Sequence, residues 1–155
     1  MKHNLLNHEN LMWVHYQEED EYPYPVSYWG TVLDIDDSGH LSALYRWDPH
    51  SYCHFHRHLC ITTSVVLAGE LHVSTFENGE STDSTVRQIG HYAKMPPGDI
   101  HMEQGGAEGA LVLFELYAPD GQLTEQLYPD GSIKRTLTTD DLRKMMAKQQ
   151  RSAAA

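Results

Sequence analysis

Turn clusters cut this chain into short runs rich in β-forming residues, and that punctuation limits the possible folds more than any other feature. Residues 29–35 alternate in polarity, Asp36-Asp37-Ser38-Gly39 supplies a turn, and residues 41–47 alternate again, which predicts a hairpin. Residues 53–67 read as one long extended region, with Thr62, Thr63, Val65 and Val66 favouring strand. Gly69 interrupts that region and residues 71–76 continue it. Glu77-Asn78-Gly79-Glu80 makes a turn followed by a polar loop through Ser84. Residues 85–89 and 91–95 flank Gly90, and Pro96-Pro97-Gly98-Asp99 is a tight turn. Residues 100–103 and 110–117 read as two strands with a turn at Gly105-Gly106. Pro119-Asp120-Gly121 and Pro129-Asp130-Gly131 are two further turns of the same chemistry. Short strands with turns every eight to twelve residues predict an all-β sandwich or barrel of antiparallel strands.

Only the end of the chain has helical chemistry. Thr138 can cap, Asp141 falls at the third helical position, and Leu137 can staple to Leu142. Arg143, Lys144 and Lys148 follow on the side that the helix dipole favours. One short helix is expected at about 139–149. The expected organisation is an N-terminal arm (1–27), a barrel (28–137), a helical unit (138–150) and a tail (151–155). A chain of 155 residues suffices for one such domain with its own core. The arm carries the acidic run Glu18-Glu19-Asp20-Glu21, read as a solvated surface, and the extended stretch Tyr22-Pro23-Tyr24-Pro25. Residues 22–28 could pair with a second copy of the chain and cover an edge, so a homodimer is expected.

The net charge of −11 argues against a surface built for nucleic acid or an anionic membrane. No run of 18 apolar residues is present, and the first ten residues hold no apolar stretch of signal-peptide type. Two cysteines are too few for a disulfide framework, so a reducing, cytoplasmic location is expected.

Eleven of the residues are histidines, and three of them alternate in Tyr52-Cys53-His54-Phe55-His56-Arg57-His58. On a strand, alternate residues face one side. Three inward imidazoles are costly without a shared partner, and a divalent metal supplies one, since imidazole suits Zn, Cu, Fe and Ni. A further histidine, His101, follows Gly90 in the spacing Gly-x5-Pro-x-Gly-x2-His, filled by Pro96 and Gly98. Parity turns Cys53 away from the histidine face, against a Cys53–His56–Cys60 zinc cluster, which also lacks a second cysteine pair. Cys60 shares the histidine parity and could line a cavity. Tyr45, Trp47, Tyr92 and Lys94 are cavity candidates by the same parity. So are Phe114 with Leu116, or Leu113 with Tyr117, with the register left open. His3, His8, His15, His40, His72 and His91 show no converging pattern.

These two segments resemble the two sequence motifs of the cupin superfamily. The first, Gly-x5-His-x-His-x3,4-Glu-x6-Gly, aligns on His56, His58, Thr62 and Gly69; the second, Gly-x5-Pro-x-Gly-x2-His-x3-Asn, ends on His101 and Gly105. The resemblance spans about residues 41–117 and implies a jelly-roll β-barrel with a divalent metal on His56, His58 and His101. Three positions depart from it. His50 stands where the first motif opens with glycine, Thr62 replaces the glutamate ligand, and Gly105 replaces the asparagine. Glu103, which shares the face of His101, is the best candidate for a fourth ligand or a partner of the ligands, ahead of Glu70 and Glu115; Thr62 is a poorer one. His54 is expected to line the pocket. A three-histidine set without the glutamate is similar to small cupin dioxygenases that cleave carbon–carbon bonds in diketones. The segments around both histidine motifs are also similar to the dihydroxyacetophenone dioxygenase group. The resemblance thus implies Fe(II) and a small keto, diketo or hydroxyketone substrate. Zinc or nickel in a non-oxidative isomerase or sensor, and a metal-free binding module, are the alternatives.

Overall fold

The structure is a computed structural model describing residues 4–7, 10–18 and 23–153. Among the described residues there are ten strands and one helix: β1 (Val14–Glu18), β2 (Val26–Ile35), β3 (His40–Trp47), β4 (His56–His58), β5 (Ile61–Glu77), β6 (Glu80–Gln88), β7 (Tyr92–Met95), β8 (Ile100–Tyr117), β9 (Gln122–Leu127), β10 (Ile133–Thr138) and α1 (Thr139–Ala153). The strands form one curled antiparallel sheet, consistent with an all-β jelly roll carrying a short C-terminal helix. One path through it runs β1-β2-β3-β8-β4-β9-β10, and β5 joins β8 to β6 and β7.

β8 is the spine. It pairs with β5 along most of its length, with β3 at one end and with β4 at the other. The sequence reading divides this strand with a turn at Gly105-Gly106; strand structure instead continues, but residues 106–109 drop out of the ladder with β5, between Gly105 and Ala110. Those glycines answer crowding, because a Cβ on Gly105 would lie 2.7 Å from the Asp48 carbonyl oxygen and one on Gly106 would lie 2.2 Å from Glu70. Gly69 likewise ends nothing. It sits at an irregularity inside β5, at φ +67°, where the strand bends against β8. Glycine inside a strand commonly marks such a close approach. His50, where the family motif has glycine, still takes the glycine-like conformation, with φ +59°.

The hairpin of β2 and β3 forms in the predicted place. Other expectations shift. Val14–Glu18, placed in an arm, is an edge strand paired with β2 inside the chain, where Val26, Ser27 and Tyr28 are among its partners. Tyr22 lies outside the described residues. The stretch 53–55 is irregular, leaving β4 only three residues long. The turns at Asp120 and Asp130 bound a hairpin of β9 and β10 that alternation had not revealed.

Leu44, Leu71, Val112, Leu123 and Leu127 are fully buried. The helix begins as its capping chemistry requires. Thr138 Oγ1 accepts from the Asp141 amide at 3.2 Å, and Asp141 Oδ2 accepts from the Thr138 amide at 3.0 Å. That box fixes the entry of α1, whose Leu142 closes one end of the interior beside Leu137.

Candidate metal centre

β4 lies between β8 and β9, and its register on β8 places His56 directly opposite His101. Alternation then brings His58 onto the same side from β4 and Glu103 from β8. The ring centroids of His56 and His101 are 4.4 Å apart, and those of His58 and His101 are 5.2 Å apart. One donor atom from each of His56, His58, His101 and Glu103 falls within 4.8 Å of the others. Glu103 Oε1 is 3.4 Å from His101 Nε2, and Oε2 is 3.5 Å from His56 Nε2.

Backbone oxygens hold two of the rings. His56 Nδ1 donates to the His54 carbonyl at 2.7 Å, and His101 Nδ1 donates to that of Asp99 at 3.1 Å. Each bond leaves Nε2 bare and aimed at the cluster, the arrangement that supports a ligating imidazole. His58 has no such support: both its ring nitrogens are buried without a partner, as is Nε2 of His101. Buried polar atoms are rarely left unpaired, so these orphans argue that something else fills the space between them. A divalent cation fits the donor set, since three imidazoles and one carboxylate suit Fe, Zn or Ni.

Burial dominates the electrostatics. It pushes the His56 imidazole down to about 4 and that of His58 well below its ordinary value. For His101 burial opposes the cation, but the adjacent Glu103 carboxylate outweighs it and the net shift is upward. For Glu103 burial favours the neutral acid, yet the His56 and His101 imidazoles outweigh it and hold the carboxyl far below its usual range. The consequence for stability follows by linkage. Between about pH 6.5 and 4 the unfolded chain protonates two histidines that the folded chain keeps neutral, so stability falls as pH falls. Glu103 adds loss of the same sign at lower pH. His101 has the opposite sign, but its stabilisation is gained above about pH 6.5 and is constant below it, so it does not offset the loss in this range. Chelator-treated protein should therefore melt at progressively lower temperature as pH is lowered from 6.5 to 4. The His56 shift alone is worth about 3 kcal/mol at pH 4. Calorimetry that finds the same melting temperature at both ends of the range would contradict these shifts.

The cluster opens on a cavity enclosing about 70 Å³. Tyr28, Tyr45, Trp47, Phe114, Leu116 and Leu123 form its apolar walls. Thr124 and Gln126 of β9 and His54 add polar atoms. Of the sequence candidates, Tyr45, Trp47, His54 and Phe114 line this space, and the β8 register left open resolves to Phe114 and Leu116. Others lie elsewhere. Tyr92 is 62% exposed, on β7, which pairs with residues 62–65 of β5. Cys60 is buried but its thiol lies against the Leu123 carbonyl, outside the cavity wall. Thr62 is fully buried, and its hydroxyl donates back to the Cys60 carbonyl, so it takes no part in the ligand cluster. Glu70 pairs with His72, and Glu115 accepts from Ser42 on the exposed face.

Cys53 reverses its expected direction. Because 53–55 is not a regular strand, parity does not hold there, and the thiol points inward to donate to Glu103 Oε2 at 2.9 Å. Tyr16 and Tyr28, which line the cavity from β1 and β2, were missed altogether. The alternation of β2 carried the signal for Tyr28, but only from Val26 onward, before the run that was read as strand.

No family model matches the sequence, and no curated protein matches it significantly. Solved structures do match the fold. A cupin 2 conserved barrel domain protein from Rhodopseudomonas palustris is 16% identical, with a TM-score of 0.60 over 94% of this chain and 89% of that one. A protein of unknown function with a cupin-like fold from Ralstonia eutropha is 15% identical, with a TM-score of 0.64 over 82% and 75%. Oxalate decarboxylase from Bacillus subtilis is 19% identical, with a TM-score of 0.57 over 76% of this chain and 32% of that one. The chain has the cupin fold.

Proposed function

We propose that this protein is a metal-dependent enzyme whose His56, His58, His101 and Glu103 hold a divalent cation at the end of an apolar cavity. The observation that carries this reading is the pair of buried, unpartnered nitrogens on His58, set among three other donor side chains. Bound there, Fe(II) would supply Lewis acidity toward a substrate oxygen and a redox partner for O₂. Four protein donors leave positions open on a cation that accepts six, which is the style of a catalytic site.

This chain's residues contribute the rest. The aromatic and leucine walls exclude water, which strengthens every charge interaction within. Glu103 keeps one negative charge against the cation, and Cys53 holds that carboxylate in place. The three-histidine premise of the diketone-cleaving resemblance is altered, because Glu103 restores a carboxylate that Thr62 had removed from the motif. The oxidative reading retains support from the open donor set and from a cavity sized for a small organic molecule. It takes a small keto, diketo or hydroxyketone compound as substrate, oxidised by O₂ with carbon–carbon cleavage.

A second reading has its own observation. Tyr28 and His54 form a hydrogen-bonded pair on the cavity wall, which suits proton transfer without oxygen. One experiment separates the two. Protein prepared without oxygen and loaded with Fe(II) should consume O₂ with members of a diketone and hydroxyketone panel, while zinc-loaded protein should not. Turnover by the zinc or nickel form without O₂ would establish the second reading. Failure to bind any of these metals stoichiometrically would overturn both.

A further inference from the structure

β9 brings two polar side chains to the edge of the ligand cluster. Its register on β4 sets Gln126 directly opposite His56 and Thr124 directly opposite His58. Directly opposed residues of neighbouring strands stand side by side on one face of the sheet. Between them in sequence, Arg57 and Glu125 are opposed in the same way and form an ion pair with each other. Gln126 therefore flanks His56 on the side away from His101, and Thr124 flanks His58. Both line the cavity and both are half-buried. Among the described residues, neither side chain finds a hydrogen-bond partner within the chain. A carboxamide and a hydroxyl thus stand beside the ligands with their donors unspent, while leucines and aromatic rings make up most of the remaining wall.

Charge adds a second constraint. Three neutral imidazoles and one carboxylate leave a divalent cation with one net positive charge. Among the described residues, no lysine, arginine or second carboxylate lines the cavity to change that sum. An unbalanced charge among apolar walls is costly, so the loaded site calls for a ligand with one negative charge. Resting on the metal-dependent reading above, we infer that the substrate is a small keto acid, a monocarboxylate instead of a neutral ketone, and that Gln126 and Thr124 select it. Its carboxylate faces the cation and β9 together. Gln126 Nε2 and Thr124 Oγ1 donate to carboxylate oxygens, which only accept. The short carbon tail lies against Tyr45, Trp47 and Phe114. A methyl group in place of one carboxylate oxygen leaves both donors unpaired and the charge unbalanced.

The test uses zinc-loaded full-length protein and two probes of one shape, isobutyrate and 3-methyl-2-butanone, titrated by NMR. Wild type should bind isobutyrate about tenfold or more tightly than the ketone. Gln126→Leu and Thr124→Val should each weaken isobutyrate about tenfold, with zinc content unchanged and the ketone little affected. Thr124→Ser keeps the hydroxyl and should bind isobutyrate nearly as wild type does. Gln126→Glu sets a negative charge beside that of the probe, so it should weaken isobutyrate at least as much as Gln126→Leu while holding zinc no less tightly. It also keeps the side chain's shape, so it carries the test if the leucine variant does not fold. Isobutyrate affinity unchanged in Gln126→Leu and Thr124→Val would mean that the metal alone holds the acid, and would overturn the inference. Equal affinities for the two probes in wild type, or no affinity for isobutyrate in protein that holds zinc, would do the same and leave the metal reading standing. Protein that holds no zinc would overturn the metal reading and this inference with it.

Discussion

Replacing His58 by leucine should remove the metal and leave the metal-free protein as stable as before, or more so. The two halves of this outcome share one cause. His58 is buried on β4 with neither ring nitrogen hydrogen-bonded, so in metal-free protein it contributes two desolvated polar atoms and no compensating bond. An unsatisfied buried polar group costs about 1–3 kcal/mol, and an apolar side chain of similar size does not incur it. With a cation bound, the same nitrogen becomes a ligand. Losing even a supporting partner of a ligand typically costs 10–100-fold in affinity, so losing the ligand itself should cost more than about 100-fold. Competition with a chelator of known affinity measures the first effect, and calorimetry in chelator measures the second. A histidine kept only for packing would show the reverse: unchanged metal content and a lower melting temperature. Glu103 offers no such clean test, because its carboxylate also anchors the thiol of Cys53.

Gly69→Ala should be the most damaging small substitution in the barrel. At φ +67° the backbone is in a region that alanine avoids, and the added Cβ would lie 2.1 Å from the carbonyl oxygen of Gly109. Backbone cannot swing aside as a side chain can. Gly109 is itself confined, since a Cβ there would meet the Trp47 carbonyl oxygen at 2.3 Å. Strain and clash together should cost on the order of 3 kcal/mol or more. For a domain of this size that corresponds to a fall in melting temperature of roughly 10 °C. The control is Gly90→Ala. Gly90 also has positive φ, +83°, but nothing lies within 4 Å of an added Cβ, so only the backbone strain of about 1 kcal/mol remains. If both variants melt together, the close crossing of β5 and β8 is not what Gly69 serves. Both glycines belong to the motif spacing, yet only one of them is held by contact.

Much of the strand plan was legible because turn chemistry and alternation are local. The β2–β3 hairpin, the β7 turn and the capped helix each depend on neighbours a few residues apart. The errors occurred where a local cue had two physical meanings. Gly105-Gly106 resembled a turn and instead opens an irregularity within one strand, where the Asp48 backbone crowds Gly105 and the Glu70 side chain crowds Gly106. Gly69 resembled a break and is a bend within one strand. At 53–55 the chain leaves strand geometry, so counting by twos failed for Cys53 and held for His54 by its own hydrogen bond to Tyr28.

The candidate site divides along the same line. Sequence alone determined that His56 and His58 share a face, that His101 follows a re-aiming turn, and that Glu103 stands on the face of His101. Each of these is a spacing within one strand. Tertiary structure decided that these two faces are one, because only the backbone pairing of β4 with β8 puts His56 opposite His101. The same pairing distinguishes Glu103 from Glu70 and Glu115, which share its residue type and not its register. Tyr28, Trp47 and His54 meet for a similar reason. Alternation tells a residue which way to face, whereas register across distant strands, set by hydrogen bonds that no local pattern encodes, tells it whom it faces.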